Sequence, residues 1–175
     1  MRILKSLSIG VFCYLISDSL CFATSATEED SAFFRSVCVY QYDDNPEKDT
    51  QNFYPDNKSS LEEQLAHFGP VSVNLIDREL GNDALDKLIP YAHWIHGLFL
   101  ADNYFTDAAL EKLGKFPELK YLDLSNNSFT RPSLESLTTL KNLSCLKLTY
   151  NRFSPKDIEE LATKMPKTQI IIDAS

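Results

Sequence analysis

The sequence predicts an α/β fold in which short parallel strands alternate with short helices along most of the chain. Three observations predict it. Apolar residues alternate with a period of two in several short segments, as in strands that have one buried face. Between these segments the apolar spacing changes to three or four residues, which is typical of amphipathic helices. The whole unit recurs every 24 residues, so neighbouring copies are expected to stack.

The repeat is clearest in three aligned copies of the pattern LxxLxLxxNxF, with Ile in place of the first Leu in the earliest copy. The copies span 95–105, 119–129 and 143–153. A weaker copy precedes them, with Val73, Leu75 and Leu80 in place and Arg78 where Asn is expected. A partial fifth copy at 169–173 follows, and the pattern does not define its register.

This pattern resembles the leucine-rich repeat family over about residues 68 to 175, and we assign 67–175 as the repeat domain. A single unit cannot bury its own apolar faces, so stacked copies are expected to form one short curved solenoid. The resemblance implies a leucine-rich-repeat solenoid with a short parallel sheet on its concave face and helices on its convex face. It also implies that the concave sheet binds another protein.

An asparagine follows each of the three clear strands, where the chain turns away from the sheet. These residues are Asn103, Asn127 and Asn151. A buried Asn side chain at such a bend can pair with backbone groups of neighbouring turns that would otherwise lack partners. We expect the three to form a structural ladder, and the alternative is three ordinary turn asparagines.

Four apolar stripes with helical spacing follow the turns. They are Leu85-Leu88-Ile89, Ala109-Leu110-Leu113-Phe116, Leu134-Leu137-Leu140 and Ile158-Leu161-Met165. The start signals of the last three are Thr106, Arg131-Pro132 and Ser154-Pro155. Proline cannot continue a helix, so Pro90, Pro117 and Pro166 are expected to end the helices or to follow them closely.

Residues 1–23 have the layout of a secretory signal peptide. Arg2 and Lys5 are followed by an uncharged apolar run of about ten residues, whereas spanning a bilayer takes roughly 20. We expect cleavage after Ala23, a secreted or periplasmic protein, and no stable membrane span after cleavage. Lipid anchoring at Cys21 and an ordinary buried N-terminal helix are the alternatives.

The segment 24–66 holds ten acidic and three basic residues and lacks the repeat pattern. It contains a predicted strand at 37–42. Ser60 and Glu63 have the spacing of a capping box and predict a helix through about His67. We expect this acidic segment to supply an N-terminal cap for the first repeat, and the alternative is an independent binding tail.

The sequence contains no catalytic motif, and its five glycines leave little material for a phosphate-binding loop. His93 and His96 have a spacing that could hold a metal, but we interpret them as turn residues beside a packed Trp94. The formal charge of -8 disfavours nucleic acid, because neutralising phosphates requires clustered Lys and Arg. We therefore predict a non-enzymatic protein with no cofactor, no metal site and no nucleic-acid partner.

The outward side chains of the sheet form the candidate binding site. Because alternate strand residues point to opposite faces, inward leucines leave their neighbours on the outer face. The predicted protein-binding residues are Phe99, Tyr121, Asp123, Lys147 and Tyr150. Phe99, Asp123 and Lys147 share one row across the strands, with Tyr121 in the next row. The alternative is a solvated face with incidental aromatic residues.

The primary functional prediction is thus a secreted module that binds an unidentified protein partner through its sheet. The runner-up is a structural or self-associating envelope protein that uses an exposed C-terminal edge strand. Ile170, Ile171 and Ile172 cannot all point inward in a period-two strand, so at least one is expected to face solvent. Such an edge predicts a possible weak homodimer.

Overall fold

The computed structural model describes residues 38–42 and 61–172. Six strands form one sheet in chain order. They are β1 (Cys38–Gln41), β2 (Val71–Asn74), β3 (Ile95–Phe99), β4 (Tyr121–Asp123), β5 (Cys145–Lys147) and β6 (Gln169–Ile171). β1 is antiparallel to β2, and all the other neighbours are parallel. The alternation of parallel strands with helices is consistent with the predicted α/β repeat fold.

Helices lie between consecutive strands of the chain. They are α1 (Leu61–Phe68), α2 (Ala109–Leu113), α3 (Ser133–Leu137), α4 (Pro155–Lys164) and two 3-10 helices, Asn82–Lys87 and Ile89–Tyr91. The start of α4 is a full capping box, in which the Ser154 side chain accepts from the Asp157 N–H and Asp157 accepts from the Ser154 N–H. Both backbone donors are thereby satisfied at the helix start.

The stripe at Leu85, Leu88 and Ile89 differs from expectation. It forms two 3-10 helices rather than one helix, and Pro90 lies inside the second instead of ending the first. The reason is that Pro90 offers no N–H and disfavours α geometry at the residue before it. Leu85 and Leu88 are nonetheless fully buried, so the apolar stripe still faces the core.

One core lies between the helices and the inward face of the sheet. Leu98, Leu122 and Leu146 stand opposite one another in register, between Val73 and Ile170. These leucines belong to the same buried cluster as the helix residues, and Phe105 and Phe129 fill the space beside the turns. Among residues 38–42 and 61–172, the helices therefore cover one face of the sheet and leave the other uncovered.

The register of the last strand, which the sequence left open, places Ile170 opposite Leu146 and Ile171 opposite Lys147. Ile172 is 43% exposed, as expected for at least one of the three isoleucines. The predicted signal peptide, the stretch 43–60 with Ser60 of the capping box, and Asp173 lie outside the described residues. Within the described ranges, no helix is both long enough and apolar enough to cross a membrane.

Candidate binding face of the sheet

Two rows of side chains cross the uncovered face, which we call the open face. In the first row Phe99 pairs with Asp123, and Asp123 pairs with Lys147. In the second row Tyr121 lies between Gly97 and Cys145. The sheet thus brings four of the five predicted binding residues together on adjacent strands.

Three aromatic rings form a continuous stripe on this face. The centroids of Phe99 and Tyr121 are 4.8 Å apart, and those of Tyr40 and Phe99 are 6.0 Å apart. We call Tyr40, Phe99 and Tyr121 the aromatic stripe. Burial raises the pKa of Tyr40, whose hydroxyl also bonds to Ser72. Offset and tilted rings at these separations stabilise one another, so the stripe is held in a fixed shape.

Tyr40 is a site residue that the sequence pattern did not predict. Tyr40 lies in β1 and pairs with Ser72 of β2. The alternation of Tyr40 and Tyr42 around Gln41 showed that both tyrosines share a face, but nothing local showed which strand β1 would join. Because β1 pairs antiparallel with β2, the ring of Tyr40 extends the stripe beyond the rings that the repeats supply.

Gly97 allows the side chains of Ser72 and Tyr42 to pack closely at the N-terminal end of the open face. A Cβ atom at this position would lie 2.3 Å from the Ser72 Oγ and 3.3 Å from the Tyr42 ring. Real Cβ atoms do not approach another atom as closely as 2.3 Å, and 3.3 Å is tighter than most Cβ contacts, so glycine lets both side chains pack here without displacement. The equivalent positions in the next repeats are Tyr121 and Cys145, which have room for side chains.

Lys147 is the main cation of the open face. Its Nζ lies 5.6 Å from the centroid of the Tyr121 ring and 3.8 Å from Oδ2 of Asp123. A hydrogen bond to the Tyr121 hydroxyl raises the pKa of Lys147, and burial raises the pKa of Tyr121. The lysine is therefore charged and the tyrosine protonated at neutral pH.

Asp123 requires a correction to the predicted binding site. It lies in the outward row, but it is only 7% exposed. Its Oδ1 accepts a hydrogen bond of 3.0 Å from the Ser125 N–H, and Lys147 lies beside its other oxygen. A carboxylate covered in this way supports the turn after β4 and is not an exposed contact residue.

A second cationic group, which the sequence pattern did not predict, lies over the ring of Tyr42. The Lys120 Nζ is 5.5 Å from the centroid of the Tyr42 ring, and the rings of Tyr42 and His96 are 5.3 Å apart. The backbone N–H of Lys120 donates to the His96 carbonyl. His96 and Lys120 occupy the same position in successive repeats. The 24-residue period therefore already implied that they lie side by side.

Tyr150 stands apart from the rows, at the turn after β5. It is 75% exposed and has a positive φ of 54°. Asp102 and Asn126 occupy the same repeat position and also have positive φ, and the Asn126 side chain donates to Asp102. This backbone conformation suits Asn and Asp but is unfavourable for a tyrosine.

The three predicted ladder residues lie at the turns. The Nδ2 of Asn127 donates to the carbonyls of Leu100, Leu124 and Ser125, and its Oδ1 accepts from the Phe105 N–H. The Asn127 side chain thus bonds to backbone groups of two repeats through both its amide N–H groups and its oxygen.

Asn103 and Asn151 repeat this arrangement. Asn103 donates to Leu75, Leu100 and Ala101, and accepts from the N–H groups of Arg78 and Leu80. Asn151 donates to Leu124, Leu148 and Thr149, and accepts from Phe129. Asn103 and Asn127 are buried, whereas Asn151 is half-buried.

The chemistry of the open face is suited to binding. Cys145 is a free, half-buried thiol, and burial raises its pKa, which keeps it out of the reactive thiolate form. Among residues 38–42 and 61–172, no group of three or more His, Cys, Asp or Glu side chains is placed to hold a metal ion. Rings and ammonium groups on a rigid sheet can hold a ligand by contact area and charge.

The chain is thus an α/β repeat protein whose sheet is covered by helices on one face and lined by rings and lysines on the other. Residues 95–153 match the family described as leucine rich repeat. This match covers the three aligned copies of the pattern and supports a leucine-rich-repeat family for the chain. Proteins of this family are generally non-enzymatic, and a leucine-rich-repeat domain suggests a protein–protein interaction module. No curated protein matches the sequence.

Proposed function

We propose that the protein is a secreted, non-enzymatic leucine-rich-repeat module that binds another protein through the concave, open face of its sheet. The observation that carries this proposal is the aromatic stripe, flanked by Lys147, on the face that the helices leave uncovered. Aromatic side chains beside charges dominate the binding energy of many protein interfaces.

The rigidity of the stripe favours binding. Phe99 and Tyr121 are on strands whose inward neighbours are fully buried, so their backbone positions are defined by the core. Their rings also contact each other, which restricts their rotamers before any partner arrives. A preorganised surface loses less conformational entropy on association.

In this proposal β1 and α1 act as the N-terminal cap of a short solenoid. Val39 of β1 and Leu65 of α1 are buried in the same cluster as the repeats. A terminal repeat with an uncovered apolar end would be insoluble, and these two elements supply cover. The same β1 brings Tyr40 to the stripe, so the cap also enlarges the binding surface.

Secretion is the second part of the proposal, supported by the charged and apolar layout of residues 1–23. Expression of the full chain, followed by N-terminal sequencing of the exported protein, tests it. The expected mature protein begins after Ala23. A chain that is retained inside the cell with its first residues intact would contradict this part alone.

Cross-linking of the protein to its partner in native material, with the protein or a variant as bait, tests the binding face. The protein is compared with the double variant Phe99→Ala/Tyr121→Ala, and with Tyr104→Ala as the control. Tyr104 is also an exposed tyrosine, at 66%, but it lies at a turn away from the stripe. The cross-linked partner is expected to disappear with the double variant and to persist with the control. Equal capture by all three proteins would contradict the proposal, provided that thermal unfolding shows each to be folded.

Self-association through β6 is the second candidate function, and the exposure of Ile172 beside this edge strand favours it. Sedimentation at increasing concentration tests it with Ile171→Lys and Ile172→Lys. A dimer that the lysines abolish, and that Phe99→Ala/Tyr121→Ala leaves intact, would support this candidate. A monomer at every concentration would remove it.

A further inference from the structure

We propose that the open face selects an acidic polypeptide segment. Carboxylates of the segment face Lys120 and Lys147, and an apolar or aromatic side chain between them packs on Phe99 and Tyr121. The inference rests on the proposed function and specifies the chemistry of its partner.

The charge of the open face is opposite to that of the chain. The formal net charge is -8, yet Asp123 is the one acidic residue within the six described strands. Exposed carboxylates lie on the turns and among the helices instead, at Asp77, Glu79, Asp102, Glu111, Glu118 and Glu135. A negative partner is therefore attracted to the sheet and repelled by the rest of the surface.

Asp123 offsets only one of the two lysine charges at this face. It is covered, and its Oδ1 is already bonded to the Ser125 N–H. Its Oδ2 is 3.8 Å from the Lys147 Nζ, which is too long for a hydrogen bond. An ammonium group has three donors, and the Lys147 side chain is 36% exposed. Lys147 can thus still donate to a carboxylate from outside.

The spacing of the two lysines is close to that of side chains three residues apart on a polyproline II segment. Lys120 is three residues before Asp123, and Asp123 pairs with Lys147 on the next strand. Strand geometry then separates the Cα atoms of the two lysines by about 11 Å. Residues i and i+3 of a polyproline II segment lie about 9 Å apart on the same side, because this conformation has three residues per turn. Tyr121 lies between the lysines, so a segment with acidic residues three apart and an apolar residue between them fits this face.

Nucleic acid is the other polyanion to consider. Its binding requires many clustered cations that follow a phosphate backbone. Two lysines separated by a tyrosine do not form such a track, and the strongly negative chain would repel the rest of the polymer. An acidic polypeptide, with few charges and apolar side chains between them, is the better match.

A displayed library of random twelve-residue peptides tests the inference with the full chain as bait. The recovered peptides are expected to carry Asp or Glu around an aromatic or apolar residue. The variant Lys120→Glu/Lys147→Glu should instead recover peptides rich in Lys and Arg. The control Lys115→Glu/Lys156→Glu makes the same change of net charge at exposed positions on the helix side, and it should still recover acidic peptides.

Glu at position 147 would face Asp123 and could destabilise the fold. A milder pair of substitutions separates loss of binding from loss of folding. Lys120→Gln/Lys147→Gln should weaken the best recovered peptide at least tenfold and leave the melting midpoint nearly unchanged. Bound peptide should also slow alkylation of Cys145, which pairs with Tyr121 in the second row.

The contrary outcomes separate the two proposals. Neutral or basic peptides that require Phe99 and Tyr121 would overturn the acidic partner and leave the binding face intact. Acidic peptides that bind Phe99→Ala/Tyr121→Ala as well as the unaltered protein would overturn both proposals, as would a library that yields no enriched peptide. A heparin fragment that binds as tightly as the peptides and ignores the stripe would show a general polyanion site, which also contradicts the inference.

Discussion

The side chain of Asn127 joins two repeats by donating from Nδ2 to the carbonyl of Leu100, at 2.9 Å. The same link runs from Asn103 to Leu75 and from Asn151 to Leu124, each at 2.8 Å. Each of these three asparagines also donates to carbonyls of its own turn. It therefore closes that turn and links it to the preceding repeat. The stacking of the repeats therefore depends on a polar row as well as on the leucine core.

Replacing Asn127 by Ala is expected to destabilise the protein clearly. The substitution leaves the buried Phe105 N–H without its partner, which costs about 1 to 3 kcal/mol, and removes the Asn127 bond to the Leu100 carbonyl, which keeps only its bond from Asn103. Chemical unfolding measures the loss. Ser128→Ala is the control, because Ser128 is the next residue and its backbone bond to Phe105 is retained. Equal effects of the two substitutions would refute the role of the ladder.

Gly97→Ala is expected to lower stability by about 1 to 3 kcal/mol. The new methyl group would meet the Ser72 Oγ at 2.3 Å, and Ser72 is buried between strands, so it has little room to move. Gly114→Ala is the matched control, since its nearest atoms lie at 3.5 and 3.6 Å and its φ of -61° is helical. That control should stabilise the protein by about 0.4 to 1 kcal/mol. A neutral Gly97→Ala would contradict the close packing of Ser72 and Tyr42.

Tyr150→Asn is expected to raise stability by about 1 kcal/mol, because Asn tolerates the positive φ that Tyr150 adopts. The neighbouring repeat already has Asn126 at this position. Tyr104→Asn is the control, being an exposed tyrosine outside the set of positive-φ residues. If Tyr150 contacts the partner, the same substitution weakens binding. A destabilised Tyr150→Asn protein would show that the tyrosine supports the fold.

Stability is expected to fall in acid partly through Asp157. Its carboxylate accepts from the Ser154 N–H and Oγ and contacts Arg131, and these bonds, the Ser154 backbone bond above all, lower the pKa of Asp157. A lowered pKa gives stability above the unfolded value of about 4, and that stability is lost as pH falls through the folded value. Melting midpoints of the protein and of Asp157→Asn should therefore differ at pH 7, begin to approach each other below about pH 4, and converge only below the lowered folded pKa of Asp157.

Glu159→Gln is the control for this pH dependence, because Glu159 is an exposed carboxylate of the same helix. The control should follow the unaltered protein at every pH. If the melting midpoints of the unaltered protein and of Asp157→Asn still differed by the same amount at low pH, the charge of Asp157 would contribute nothing to the helix cap.

The sequence predicted much of the repeat architecture because the responsible signals are local and periodic. Leu98, Leu122 and Leu146 recur at one spacing, and a two-residue alternation places them all on one face of the sheet. The capping residues at Ser154 act within one helical turn, so they too are readable from the chain. The helix expected at Leu85–Ile89 differed because Pro90 changed its geometry while the apolar spacing stayed the same.

The composition of the open face was decided by the tertiary structure. Phe99 and Lys147 could be placed from the period alone, but Tyr40 joins them only because β1 pairs antiparallel with β2, across more than thirty residues of chain. Likewise, the covering of Asp123 depends on where the Lys147 side chain packs. Alternation along a strand determines which side a residue points to, whereas its neighbours there depend on strand pairing and side-chain packing, which no local pattern encodes.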